Sequence, residues 1–309
     1  GLKELVAGMD KKYGLNVQPQ FTPGPDEQTF LGRLAQEVAA GKPASADVWL
    51  GNGPGSLDAT KEKVLTPLNW SAILPRQLPK DGAIDFTAPG GIAVGFASSL
   101  TGVTYNSKLV QGADIPKKFD DLFNPKFKGK IASTPYAAGM REFAMQDMLG
   151  HDFTVAFTKK LTQQIGGLMR CGEDDRLTSG EFWMLAFDCG GNTAILDATQ
   201  GKPIGQTVLQ EASLVHTSYA GVPLTSSAPN AAALLIAYIQ SPEGQAIMWK
   251  DDGRDLYVFP EAHTRALVDT VRASGGKIEV DSPQWLASQG NFSQTQKELQ
   301  AILAAKGAK

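Results

Sequence analysis

Three polar turns in this 309-residue chain carry the side chains best suited to chemistry. The first, Gly51-Asn52-Gly53-Pro54-Gly55-Ser56, follows the short apolar run Ala46-Asp47-Val48-Trp49-Leu50. The second, Ser133-Thr134-Pro135-Tyr136-Ala137-Ala138-Gly139, follows Lys130-Ile131-Ala132 and leads into a helix-period segment at 140–149. The third, Asp188-Cys189-Gly190-Gly191-Asn192, ends the apolar run 182–187 and opens a short helix reaching about Gln200. In open α/β sheets, ligands sit at the carboxyl ends of strands, where loops and helix N-termini leave backbone N–H groups unpaired. The chemistry on offer is therefore recognition of a polar or anionic group. Its donors would be backbone N–H groups near Gly51 and Gly139, the amides of Asn52 and Asn192, the hydroxyls of Thr134 and Tyr136, and the Arg141 guanidinium. Structural roles compete with each: glycines as tight-turn formers, Thr134 as a helix cap, Asn192 as a turn former, Arg141 as a solvated charge.

Residues for catalysis do not assemble in the same way. The chain has no GxSxG elbow, HExxH helix or Walker-type phosphate loop. Asp174-Asp175 and Asp251-Asp252 are paired carboxylates, but both lie in polar, turn-like settings that read as surface. His151, His216 and His263 are not spaced as a metal cluster. No enzyme and no cofactor are expected. Cys171 and Cys189 enclose a short loop, compatible with a disulfide in an oxidising compartment and equally with two buried thiols.

The formal net charge of −3 and the scatter of Lys and Arg along the chain exclude a basic tract for nucleic acid. No run approaches the roughly 20 apolar residues of a spanning helix; Ala231 to Ile239 is the longest candidate. No secretion signal opens the chain, and Gly1-Leu2-Lys3-Glu4-Leu5 already reads as helix, so the start reads as trimmed and gives no argument for the cytoplasm.

With 42% hydrophobic and 20% charged residues, the chain has enough apolar side chains for large cores. Since single cores stop growing at roughly 250–300 residues, two lobes are expected. Helix-period and strand-period segments alternate, which predicts an α/β protein with largely parallel sheets. Leu2, Leu5, Val6, Met9 and Tyr13 share a helical face that Gly14 terminates, and a strand is predicted from Leu15 to Phe21. The turn Thr22-Pro23-Gly24-Pro25, a helix over 27–40 and a strand over 46–50 follow. A strand-like run from Gly91 to Ala97 leads into Gly102-Val103-Thr104-Tyr105-Asn106, where the chain is expected to leave its first lobe. The segment Ser218-Tyr219-Ala220-Gly221-Val222-Pro223-Leu224 reads as the return. Helices over 230–240 and from 241 onward follow, with Ser241 as N-cap and Pro242 at the first helical position.

These segments together resemble the type II periplasmic solute-binding proteins of ABC importers (extracellular solute-binding protein family 1), and within them the ferric-iron-binding-like branch. The similarity covers nearly the whole chain. It rests on Lys11-Lys12-Tyr13-Gly14-Leu15-Asn16-Val17, Ala40-Gly41-Lys42-Pro43, Gly102-Val103-Thr104-Tyr105-Asn106, Pro125-Lys126-Phe127-Lys128-Gly129-Lys130-Ile131, and Ala228-Pro229-Asn230-Ala231-Ala232 with Ser241-Pro242-Glu243-Gly244-Gln245. The resemblance implies two Rossmann-like α/β lobes joined by two crossover strands near 95–105 and 217–225. The first lobe would comprise 1–98 and 222–309, and the second 99–221. It further implies a periplasmic or extracytoplasmic, monomeric protein that captures a small polar or anionic solute between its lobes and delivers it to an ABC transporter permease. Gly51, Asn52, Thr134, Tyr136, Gly139, Arg141, Asn192 and Tyr219 would contact the solute. Where iron-binding members carry adjacent tyrosines, this chain reads Gly190-Gly191-Asn192-Thr193-Ala194, so the usual phenolate ligands are missing. Ferric iron or an iron chelate is accordingly the alternative cargo. Organic anions, phosphonates, sulfonates and amine-bearing metabolites are further candidates, and a sensor or regulator domain is the second functional alternative.

Overall fold

A computed structural model of the chain describes residues 1–21, 26–290 and 292–307. The expected turn at 22–25 lies outside the described residues. The chain forms two compact units. The first comprises Gly1–Ser98, His216–Arg265 and Val280–Ser288; the second comprises Ser99–Val215, Ala266–Glu279 and Gln289–Lys309. Among the described residues nine strands are named in chain order: β1 (Trp49–Asn52), β2 (Ala93–Leu100), β3 (Val103–Asn106), β4 (Ile131–Ser133), β5 (Ile165–Leu168), β6 (Met184–Ala186), β7 (Ile204–Thr207), β8 (Ala212–Gly221) and β9 (Lys277–Val280). One sheet has the order β1-β8-β2 with β9 also on β8, and the other the order β5-β4-β6-β3-β7. Strands β2 and β8 each run from one unit into the other.

Every residue of β2, Ala-Val-Gly-Phe-Ala-Ser-Ser-Leu, is buried. Such a strand needs small or apolar side chains on both sides, because helices cover both faces of its sheet. Alternation along the strands divides two cores. Val94, Phe96 and Ala220 pack with Leu5, Val6 and Met9 of the helix Leu2–Tyr13, and with Ile236 and Ile239 of the helix Pro229–Ile239. Ala93, Trp49 and Tyr219 pack with Leu31 and Leu34 of the helix Glu27–Ala39 and with Ala59 of the helix Gly53–Glu62. Each leucine so buried contributes roughly 1.5–3 kcal/mol. The helix ends follow the local chemistry: Gly14 closes the first helix at φ 68°, and the Ser241 hydroxyl accepts from the Gly244 N–H at 3.1 Å ahead of Pro242.

The second unit is built on aromatic packing and on the apolar residues beside β4 and β6. Phe119 lies 5.6 Å from Phe143, 5.2 Å from Phe157 and 5.4 Å from Phe187 by ring centroids. Ala132, Leu177, Phe182, Leu185, Ala194 and Ile204 form a separate buried group.

Three expectations are corrected by this architecture. The sheets are mixed: β4 runs parallel to β5 and β6, but β1 is antiparallel to β8, and β3 is antiparallel to both β6 and β7. The sequence alternation conceals this, because the antiparallel partners are not consecutive strands: β1 meets β8, and β3 meets β6 and β7. Residues 15–21 form no strand. No described strand pairs with them, and Leu15 and Phe21 are 42% and 70% exposed. The helix expected over 140–149 ends at Phe143. Tighter bonds such as Met145 N–H to Glu142 C=O take over, and Gly150 at φ 86° turns the chain into a second helix, His151–Gln164. The second unit also takes in Ala266–Glu279 and Gln289–Lys309. Leu299 and Leu303 of the terminal helix Phe292–Gly307 are fully buried, and its Glu298 pairs with His151 at 2.8 Å.

Candidate functional site

The parallel strands β5, β4 and β6 of the second unit end side by side, so the segments that follow them emerge along one edge of the sheet. Side chains tie the three segments together. The Tyr136 hydroxyl, after β4, accepts the Cys171 N–H, after β5, at 2.9 Å. The same hydroxyl lies 3.6 Å from Cys189 Sγ, after β6. Cys171 and Cys189 are joined as a disulfide with Cα atoms 6.0 Å apart.

Asp188 fixes the start of the turn after β6. Its carboxylate is buried, with Oδ1 accepting from the Gly102 and Gly190 N–H groups at 3.0 Å each and Oδ2 accepting from Thr104 Oγ1 at 2.8 Å. Burial pushes the Asp188 carboxyl up, and these hydrogen bonds oppose the shift by stabilising the anion. Gly190 must be glycine: its φ is 110°, and a Cβ there would lie 2.2 Å from Ser99 Oγ. Gly139 packs against Thr101 in the same way, so the 99–102 link touches the turns after both β4 and β6. The helix Asn192–Thr199 starts next. Gly191 is its N-cap and supplies no side-chain cap, so the first-turn N–H groups at Thr193 and Ala194 have no acceptor within the helix. Asn192 is half-buried at the head of that turn.

The remaining sequence-predicted residues of this unit are engaged locally. Thr134 is buried, and its Oγ1 accepts from the Ala138 N–H at 2.8 Å, which makes it a turn cap. Arg141 donates through Nε to Glu142 Oε1 and through Nη1 to Gln296 Oε1 at 2.9 Å. Its guanidinium is thus held by the unit itself. Tyr136, Gly139 and Asn192 are brought to one edge with Ser99, Thr101 and Asp188; Arg141 is turned toward the terminal helix.

In the first unit, Gly51 pairs with Tyr219 across the β1–β8 ladder. Tyr219 was expected beside a hinge with its ring available, but it is fully buried in the core with Trp49 and Leu34. A central strand covered by helices places alternate side chains in the core, and Tyr219 falls on such a position. Asn52 Oδ1 accepts from the Gly55 N–H at 2.9 Å and so caps the helix Gly53–Glu62. The Asn52 N–H donates to Glu27 Oε1 at 3.2 Å. Glu27 lies over Gly51 and Gly55, where a Cβ would come within 2.0 Å and 1.8 Å of its Oε1. Burial raises the Glu27 carboxyl to about 7; the Asn52 N–H opposes this and the nearby Asp58 and Asp281 carboxylates reinforce it.

Among the described residues no three His, Cys, Asp or Glu side chains form a group able to hold a metal ion. The histidines instead pair separately with carboxylates: His151 with Glu298, His216 with Asp281 and His263 with Asp255. Sequence reasoning missed Asp188, Glu27 and Ser99. Asp188 left a signal, an acidic residue at the end of an apolar run, one residue ahead of a glycine pair. Glu27 and Ser99 left none, since their partners lie far away along the chain.

Comparison with known proteins gives this geometry a context. A family model described as bacterial extracellular solute-binding protein matches residues 4–270. A Fe(3+)-binding periplasmic protein of Serratia marcescens is 29% identical over 163 residues, covering 52% of this chain and 45% of the relative. The match thus spans about half the length of that curated relative. Among solved structures, the substrate-binding protein of an ABC transporter from Agrobacterium tumefaciens aligns with a TM-score of 0.72 at 16% identity, covering 97% of this chain and 91% of the other. The spermidine/putrescine ABC transporter substrate-binding protein of Streptococcus pneumoniae aligns with a TM-score of 0.71 at 17% identity, covering 97% and 95%. At these identities the likeness establishes the fold, that of the type II periplasmic binding proteins. No described helix is long and apolar enough to cross a membrane. With its family model matched over most of its length, the chain belongs to the bacterial extracellular solute-binding protein family.

Proposed function

We propose that this chain captures a small polar or anionic solute in the periplasm, as a monomer, and hands it intact to the permease of an ABC importer. Membership of a solute-binding family makes it a binding protein and not an enzyme. The observation that carries the choice of solute is the uncapped first turn of the helix Asn192–Thr199, held beside the turn after β4 at the carboxyl ends of parallel strands. Asn192 and the N–H groups of Thr193 and Ala194 would meet an acceptor group of the solute, with the half-buried Tyr136 ring alongside. Ferric iron is the second reading, favoured by the name of the Serratia marcescens relative. With Gly190-Gly191-Asn192 in the turn, iron would enter with an accompanying anion and not through paired phenolates.

A thermal-shift screen tests both readings, using small carboxylates, phosphonates, sulfonates, amines, ferric ion alone and ferric citrate. One acceptor-bearing class should raise the melting temperature in a concentration-dependent way; a solute at 100 times its Kd adds about 2.7 kcal/mol. Stabilisation by amines alone would overturn the anion reading. Recovery of a chemically altered solute would overturn the binding-protein reading itself.

A further inference from the structure

We propose that the Cys171–Cys189 disulfide and the Tyr136 hydroxyl act together as a positioning clamp for the turn at 190–193, so that Tyr136 serves the solute site through this hydroxyl by holding the turn in place. The inference rests on reading that turn as the solute-contacting element. The disulfide could be explained as a global staple, since closing a loop stabilises the folded chain wherever it lies. Its placement argues for more. Cys189 stands between Asp188, whose carboxylate is tied to Gly102, Thr104 and Gly190, and Gly190, which is pressed on Ser99. The turn is thus braced on the β3 side by hydrogen bonds and on the β5 side by the disulfide.

Tyr136 supplies the third brace. Its hydroxyl accepts the Cys171 N–H at 2.9 Å and sits 3.6 Å from Cys189 Sγ, so the turn after β4 bears on both ends of the disulfide. Those ends follow β5 and β6, the strands that flank β4. A displacement of any of the three segments must therefore stretch the disulfide or break the Tyr136 hydrogen bond. The helix that begins directly after this braced turn has no side-chain cap of its own to hold its first residues. A binding site works best when its donors are already in place, because ordering them on binding costs affinity.

Amide hydrogen exchange on the solute-free protein tests the clamp. In Tyr136→Phe, which keeps the ring and loses only the hydroxyl, the amides of 190–193 should exchange roughly threefold to tenfold faster, the effect of one lost hydrogen bond. In the double variant Cys171→Ser with Cys189→Ser they should exchange at least ~10-fold faster, with β4 and β6 amides unchanged. Tyr136→Phe folds without the loss of a covalent link, so it stands if the double variant does not fold. Unchanged exchange at 190–193 in Tyr136→Phe, or an equal increase across the whole second unit in either variant, would show that these groups contribute to stability alone. Because no solute is added, the result stands apart from whether the turn binds one, which the Kd of Asn192→Ala decides.

Discussion

The glycine-rich segments at 51–55 and 188–192 each lead from a strand into a helix and carry an asparagine each, yet they do different things. At 51–55 the polar groups satisfy one another: Asn52 caps the helix it precedes, its N–H goes to Glu27, and the paired Tyr219 is sealed in the core. At 188–192 the turn's own residues are tied to other segments, Asp188 to Gly102 and Thr104 and Cys189 to Cys171, and the helix that follows keeps an uncapped first turn. A turn whose own side chain caps its helix is self-contained. One that is held by remote groups leaves its helix terminus available to a ligand.

The comparison can be broken at its strongest point first. Asp188→Ala would leave the buried N–H groups of Gly102 and Gly190 and the Thr104 hydroxyl without their acceptor, and should destabilise the protein by roughly 3–5 kcal/mol in urea unfolding. A loss under about 1 kcal/mol would mean that water replaces the carboxylate and that the turn does not depend on it.

Glu27→Gln probes the other turn, with a sign that depends on pH. The Glu27 carboxyl is raised from its ordinary 4.5 to about 7, so ionisation favours the unfolded chain. That cost is absent below about 4.5, grows through the interval and is complete above about 7. The glutamine carbonyl still accepts the Asn52 N–H but carries no charge. Unfolding midpoints at pH 4 and pH 8 should therefore show no gain for Glu27→Gln at the lower pH and a gain of about 2 kcal/mol at the higher. A gain independent of pH would refute the burial of this carboxyl beside Asp58 and Asp281.

Smaller effects separate the two asparagines. Asn192→Ala should weaken solute binding more than ~10-fold by titration calorimetry, about 1.4 kcal/mol, without unfolding the protein. Asn52→Ala should do the reverse, lowering stability by about 1 kcal/mol through loss of a helix cap while leaving affinity within a factor of about two. Equal affinity losses in both variants would erase the distinction drawn between the turns.

The candidate site was partly legible in the sequence. Strand-turn-helix punctuation located the turns at 51, 133 and 188, because glycine, proline and asparagine act through local backbone geometry. Whether each side chain was free for a ligand was not legible. Thr134 and Asn52 close local caps, while Arg141 meets Gln296 and Asn52 N–H meets Glu27, partners 155 and 25 positions away. The largest miss in the fold, residues 15–21, has the same origin: strand-like composition forms a strand only where a neighbouring strand offers a ladder.

By itself, the sequence determined an α/β chain of two units, helices over the segments starting near Leu2, Glu27, Asn192, Asn230 and Pro242, and a strand through residues 93–97, since periodicity and caps are properties of neighbouring residues. Only the tertiary structure decided that the sheets are mixed, that Tyr219 belongs to the core, and that Asp188, Tyr136 and the two cysteines converge on one turn. Pairing direction and convergence depend on contacts between residues far apart along the chain, and no local pattern encodes them.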